Sequence, residues 1–278
     1  MKILYLFFLL LIPLVLIVSV SRYSAKEVDW KLPGQEHILF MGASHIVYGV
    51  NDSIIPSSIN LASLSERYMY TYIKLKHVLE SNHQVDTVFL DCAPNDLSDH
   101  ADEKYFIDNE MVSFYARYYP LFDLSQWELY RENFGSAVSL LFRKTAIDYI
   151  KGLDYKYFID GFIPYKQVMR DTTFTVEEKG NYKYGNRINY KYLRMIINLC
   201  KENKCVLYLV YSPHIKPEEY YDVDYYYESY KRYFSDVPLL DYSHFRIEDG
   251  EWCDATHLNE KGAKRFTQRI KRFLELRK

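Results

Sequence analysis

The first pattern along the chain is a charge-free apolar run, ILYLFFLLLIPLVLIVSV, within residues 3–21. It is apolar all the way round a helix, and at about 1.5 Å per residue it is long enough to cross a bilayer core of about 30 Å. After a polar stretch at 24–36 the pattern changes. His37-Ile38-Leu39-Phe40-Met41 is a short apolar run stopped by Gly42, which predicts a buried strand. A second short run, Ser58-Ile59-Asn60-Leu61, leads into a segment where Met69, Tyr72, Leu75 and Leu79 recur at helical spacing. Thr87-Val88-Phe89-Leu90 predicts a third strand. Leu193, Ile196, Ile197 and Cys200 line one face of a helix that hands over to Val206-Leu207-Tyr208-Leu209-Val210. A last helix starts at the cap Asn259 and carries Ala263, Phe266, Ile270 and Phe273 on one face.

Continuous apolar strands alternating with amphipathic helices predict a parallel sheet covered on both faces, a three-layer α/β sandwich. Residues 99–185 break the alternation. Helical spacing of Val138, Leu141, Ile147 and Ile150 predicts a helical insertion there, after the third strand and near the carboxyl edge of the sheet. The organisation expected is a transmembrane signal anchor at 1–22, a linker at 23–36 and one catalytic domain at 37–278.

The N-terminal run lacks a good small-residue cleavage site, since Val18-Ser19-Val20-Ser21 is a poor one, so an uncleaved anchor is expected with the domain outside the cytoplasm. Charge flanking the run is balanced: Lys2 lies on one side, Arg22 and Lys26 on the other. A formal net charge of -2 supplies no positive field for a polyphosphate, which argues against nucleic acid as a partner. Cys92, Cys200, Cys205 and Cys253 have neither zinc-site spacing nor a spacing that fixes disulfide pairs. The 29 tyrosines suit sugar-facing surfaces as well as half-buried packing; the run from Tyr220 to Tyr233 reads as one amphipathic helix or as a stacking platform.

Ligands of an open parallel sheet bind beyond the carboxyl ends of its strands. Four polar features fall there: Gly42-Ala43-Ser44-His45, Asn60-Leu61-Ala62-Ser63, Ala93-Pro94-Asn95-Asp96, and Asp254-Ala255-Thr256-His257 before the last helix. Taken singly, each has an ordinary explanation: a helix cap for Ser44, turn chemistry for Asn95-Asp96, a surface position for His257. Their joint order is more informative.

With these blocks the sequence resembles the SGNH, or GDSL-like, hydrolase superfamily from about His37 to Phe273, with 99–185 unmatched. The most specific parts are Asp254-x-x-His257 leading into Leu258-Asn259-Glu260-Lys261-Gly262-Ala263, and the Asn95-Asp96 pair. The resemblance implies a flavodoxin-like sheet. It also implies Ser44 as nucleophile, His257 as its base, Asp254 as the acid orienting that base, and an oxyanion hole from the backbone N–H of Ser44 and Ala62 and the side chain of Asn95. No metal or organic cofactor is implied. Among branches, the chain looks most like membrane-anchored members that acylate or deacylate cell-surface polysaccharides. The implied activity is esterase or O-acyltransferase action on an acyl, chiefly acetyl, ester of a carbohydrate. His45 and His214 are candidate pocket residues, His45 being the weaker as a second base because adjacent side chains point apart. Two departures stand out: Ala43 replaces the usual aspartate of the nucleophile block, and Ala62 stands where glycine is usual. They motivate the rival expectation, a catalytically inactive glycan-binding or assembly protein on the same fold.

Overall fold

The computed structural model describes residues 12, 15–16, 19–20, 22–98, 114–115, 117–126, 154–169 and 187–277. The chain divides into two compact units, one of Met1–Lys31 with Phe106–Phe158, the other of Leu32–Tyr105 with Ile159–Lys278.

The second unit is built on five strands: β1 (Ile38–Met41), β2 (Ser58–Asn60), β3 (Thr87–Asp91), β4 (Val206–Tyr211) and β5 (Leu239–Asp241). All neighbours pair in parallel, in the order β2-β1-β3-β4-β5. Its principal helices are α1 (Ser44–Gly49), α2 (Tyr68–Ser81), α3 (Arg187–Glu202), α4 (Val223–Tyr233) and α5 (Glu260–Glu275). Register places Phe40 beside Phe89 and Phe89 beside Tyr208, so one sheet face carries an aromatic row, with Phe40–Phe89 and Phe89–Tyr208 centroids 5.0 and 5.2 Å apart. Phe266 and Ile270 of α5 join the same core, and α5 also packs on α1. On other contacts, α2 packs against α3, whose Leu193, Ile196, Ile197 and Cys200 are all buried. The α/β sandwich with a parallel sheet agrees with the periodicity. α5 begins where expected, with Asn259 Oδ1 accepting from the N–H of Lys261 and Gly262.

Three expectations need correction or limits. β5 escaped the pattern because a three-residue strand is too short to display a period. The stretch expected as a polar linker is not a free one: Ala25, Val28 and Trp30 are buried within the first unit, and Leu32 within the second donates its N–H to Asn82 Oδ1 at 2.9 Å. The alternation Val28-x-Trp30-x-Leu32 carried that signal. In the first unit Asp29 bridges Asp154, the Tyr155 N–H donates to the Asp29 carbonyl at 3.1 Å, and Trp30 packs on Phe158 with centroids 4.8 Å apart. Finally, most of the apolar run at 3–21 and most of the insertion, including Val138, Leu141, Ile147 and Ile150, lie outside the described residues. No helix among the described residues is long and apolar enough to cross a membrane.

One described stretch of the insertion, 159–169, runs along the carboxyl edge of the sheet. Its N–H groups at Gly161, Ile163 and Met169 donate to the carbonyls of Ala62, Val47 and Trp252 at 3.0, 3.0 and 2.9 Å. All four cysteines are buried free thiols. The tyrosine-rich segment forms α4 with Tyr226 buried and its hydroxyl donating to the Cys92 carbonyl at 2.6 Å, the packing role rather than a stacking platform.

Candidate active site

After β1 the chain goes to β2 at one edge and then returns to β3 on the other side of β1, so the β1/β3 boundary is the switch point where a crevice opens. Gly42 makes the turn out of β1. Its φ is +130°, and a Cβ there would lie 2.4 Å from the Cβ of Asp91, so no other residue fits the turn without moving β3. The chain then enters α1 with Ser44 as its first residue.

At that point three of the expected residues meet. Ser44 Oγ lies 2.8 Å from His257 Nε2, and His257 Nδ1 lies 2.9 Å from Asp254 Oδ2. Because a carboxylate only accepts, Nδ1 carries a proton, and in the neutral ring Nε2 is then the nitrogen with a lone pair facing the serine hydroxyl. Asp254 also accepts from the backbone N–H of Thr256 and His257, both at 2.9 Å, which closes the loop and fixes the carboxylate. Burial acts to raise the Asp254 carboxyl, but the hydrogen bond and charge of His257 and those two N–H groups outweigh it and hold it at about 2. The Asp254 carboxylate is ionised, and His257 Nε2 faces the Ser44 hydroxyl.

The oxyanion donors are met only in part. Asn95 follows β3 and donates Nδ2–H to Tyr221 Oη at 3.2 Å, which orients the amide and leaves its second hydrogen for a ligand. The N–H of Ala62, in contrast, is committed: it donates to Asn60 Oδ1 at 3.0 Å, and Ala62 is fully buried. The expectation of Ala62 as an oxyanion donor is therefore corrected. Asn60 is the reason, since its amide also donates to the carbonyls of Ile46 and Val50, at 3.0 and 2.8 Å, tying the end of β2 to α1.

His45 and His214 both stand beside the triad. His45 does not point away from it: its ring stacks on His257 with centroids 5.3 Å apart and 27° between planes. Its Nδ1 lies 3.3 Å from Asp91 Oδ2, at the end of β3. His214 packs on the other side of His45, centroids 4.6 Å apart, and its Nδ1 is 2.9 Å from the Ser212 carbonyl. Burial, then the neighbouring His257, pushes His45 down to about 3; burial, then His45, pushes His214 well below its ordinary value. Burial also raises Asp91 to about 7, against the pull of the Ala43 N–H. Asp91 and Tyr48 were missed in the sequence. A carboxylate closing the otherwise apolar run Thr87-Val88-Phe89-Leu90 was the available signal for Asp91.

His214 also forms part of the wall of a cavity of about 490 Å³, with Met169, Ile215, Lys216, Phe245 and Trp252. Another cavity of about 480 Å³ opens at the amino ends of the strands, lined by Ile38, Val206 and Tyr208, the opposite edge from Ser44. Among the described residues no cluster of His, Cys, Asp and Glu could hold a metal ion.

No family model and no curated protein matches the sequence. Solved structures similar to it include a GDSL-like lipase of Bacteroides thetaiotaomicron, 10% identical, with a TM-score of 0.45 over 94% of this chain and 100% of the other. A Streptococcus pneumoniae protein named for platelet activating factor is 14% identical, with a TM-score of 0.43 over 99% of this chain and 98% of its own.

Proposed function

We propose that this chain is a serine hydrolase or acyltransferase of the SGNH type, acting through an acyl-Ser44 intermediate. The observation that carries the reading is the unbroken chain from Ser44 Oγ through His257 to Asp254, at 2.8 and 2.9 Å. A serine hydroxyl is a weak nucleophile until a base takes its proton, and the arrangement supplies both the base and the acid that orients it. Ser44 Oγ attacks the ester carbonyl as its proton passes to His257 Nε2. The carbonyl oxygen becomes an oxyanion facing the N–H of Ser44 and the Asn95 amide. Collapse expels the alcohol, which takes the proton from His257 and leaves the acyl group on Ser44. Water or a sugar hydroxyl then attacks that ester, giving hydrolysis or transfer.

The finer reading, an acetyl ester of a cell-surface carbohydrate handled at the outer face of a membrane, rests on the sequence resemblance and the apolar run at 3–21. The rival scaffold role, binding glycan without catalysis, is disfavoured by a fully formed triad despite Ala43. A serine-directed fluorophosphonate probe separates the two: the purified protein should label at Ser44, and Ser44→Ala should not. Turnover of a small acetyl ester, with and without a sugar acceptor, distinguishes hydrolysis from transfer. Ser44→Ala and His257→Ala should fall to a similar floor, with the double variant little worse, because the two act in one proton-transfer step. Wild-type turnover by folded Ser44→Ala would exclude the serine mechanism.

A further inference from the structure

The His257 imidazole is contacted by two rings that the triad chemistry does not require. His45 stacks on His257 at 5.3 Å and 27°, and Tyr48 meets His257 edge-on at 5.3 Å and 78°. Both residues belong to α1, the same short helix that presents Ser44. Behind His45 lies His214, 4.6 Å away, and beyond Tyr48 lies Tyr165, 5.3 Å away and edge-on. The row therefore runs His214, His45, His257, Tyr48, Tyr165, with the base in the middle.

Each end is anchored. His214 is fixed by its contact with the Ser212 carbonyl at the end of β4, and His45 by Asp91 at the end of β3. The Ile163 N–H donates to the Val47 carbonyl of α1 and the Tyr165 carbonyl accepts from the Glu260 N–H, holding the segment that carries Tyr165. His257 is only half-buried and Asp254 is exposed, and the hydrogen bonds with Asp254 and Thr256 meet the ring at Nδ1 alone, so they leave the ring free to tilt about that nitrogen.

We infer that His45, pinned by Asp91, is a positioning residue that works with Tyr48 as an aromatic clamp holding His257 in line with Ser44. Three physical points support it. Restricting the ring to one orientation removes rotational freedom that would otherwise separate Nε2 from Oγ, and small misplacements of a catalytic group are costly. The face of an uncharged ring attracts the positive charge that His257 acquires on taking the serine proton. Burial keeps both His45 and His214 uncharged, so that new charge has no like charge stacked against it. The groups in contact with His257 are Asp254, Ser44, Thr256, His45 and Tyr48, among which Asp254 is the ionised one, and the buried Asp91 behind His45 adds an attractive rather than a like charge.

This clamp rests on the proposed serine mechanism for its rate effect but not for its geometry, so two measurements are used together on the full chain. The first is ester turnover of His45→Ala and His45→Phe. His45→Ala should lower kcat on the order of 10–10²-fold with KM little changed, whereas His45→Phe, which keeps a stacking ring, should recover most of kcat. The second is NMR relaxation of the His257 ring in protein labelled at histidine. Asp254 keeps the proton on Nδ1 in every variant, so the readout is ring mobility: the intact protein and His45→Phe should show a rigid ring, and His45→Ala a mobile one. Circular dichroism and the unfolding midpoint establish that each variant is folded; if His45→Ala does not fold, Tyr48→Leu is read in the same two ways. Wild-type kcat in folded His45→Ala, or a His257 ring as rigid as in the intact protein, would overturn the clamp. If the intact protein turned over no ester yet His45→Ala freed the ring, the clamp would stand and the serine mechanism would be the claim that failed.

Discussion

Lys74 offers a quantitative test of how the loop after β2 is held beside the site. Its side chain on α2 is fully buried, as is that of Glu66, and Nζ donates to Glu66 Oε2 at 2.7 Å and to the Leu61 carbonyl at 2.5 Å. Lys74→Met conserves most of the volume but deletes the cation that faces Glu66 and the donor to Leu61. The cost is then not a cavity. It is a buried carboxylate that has lost a charged partner at 2.7 Å, and breaking a buried pair in this way usually costs about 3–5 kcal/mol. Against a typical stability of about 5–15 kcal/mol, that is a large share. Urea unfolding is the assay, with the midpoint falling and the slope unchanged. Removing both charges, as Lys74→Met with Glu66→Leu, should recover much of the loss, because two apolar residues of similar volume leave no buried charge behind. A cost under about 1 kcal/mol for Lys74→Met alone would show that Glu66 is solvated or neutral, and the argument from buried pairing would fail.

Other outcomes follow from the same geometry. Asn95→Ala should keep labelling of Ser44 but slow ester turnover about 10²–10³-fold, the usual cost of one oxyanion donor; Ala62 substitutions that preserve folding should not, since that N–H is occupied. Asp254→Ala should reduce turnover less than Ser44→Ala, as it removes the orienting acid and leaves nucleophile and base in place. Asp91 and Asp96 are each raised to about 7, chiefly by burial, so the native state binds protons that unfolded carboxyls release near about 4. Their contribution to stability is therefore present below about 4 and lost as pH rises through about 7; the urea midpoint should be higher at pH 5 than at pH 8, and Asp91→Asn should flatten the difference. Gly42→Ala should yield little folded protein on expression and gel filtration, because its φ of +130° and the 2.4 Å approach to Asp91 Cβ admit no side chain. If residues 3–21 anchor the chain, fractionation should find it in the membrane with its N-terminus intact; a soluble chain beginning near Ser21 would refute that.

How much of this was legible beforehand differs by residue. Strands β1 to β4, the helix of Leu193 and Ile196, and the cap at Asn259 follow from local periodicity and capping chemistry, which depend on neighbours along the chain. Ser44, Asp254 and His257 were likewise recognisable, because residue type, order and position at strand ends are all sequence properties. By itself, then, the sequence determined the layered α/β plan and singled out the three residues, Ser44, His257 and Asp254, that the fold brings within hydrogen-bond distance. What only the tertiary structure decided concerns partners distant in the chain. Whether Ala62 could donate depended on where Asn60 turned its side chain, and the orientation of His45 depended on Asp91, 46 positions away across the β1/β3 boundary. The packing of Trp30 on Phe158, and the bridge of Asp29 to Asp154, likewise join residues far apart along the chain. Side-chain hydrogen bonds, ring stacking and desolvation act through space over a few ångströms, and a linear pattern contains no distance between residues that the fold has yet to bring together.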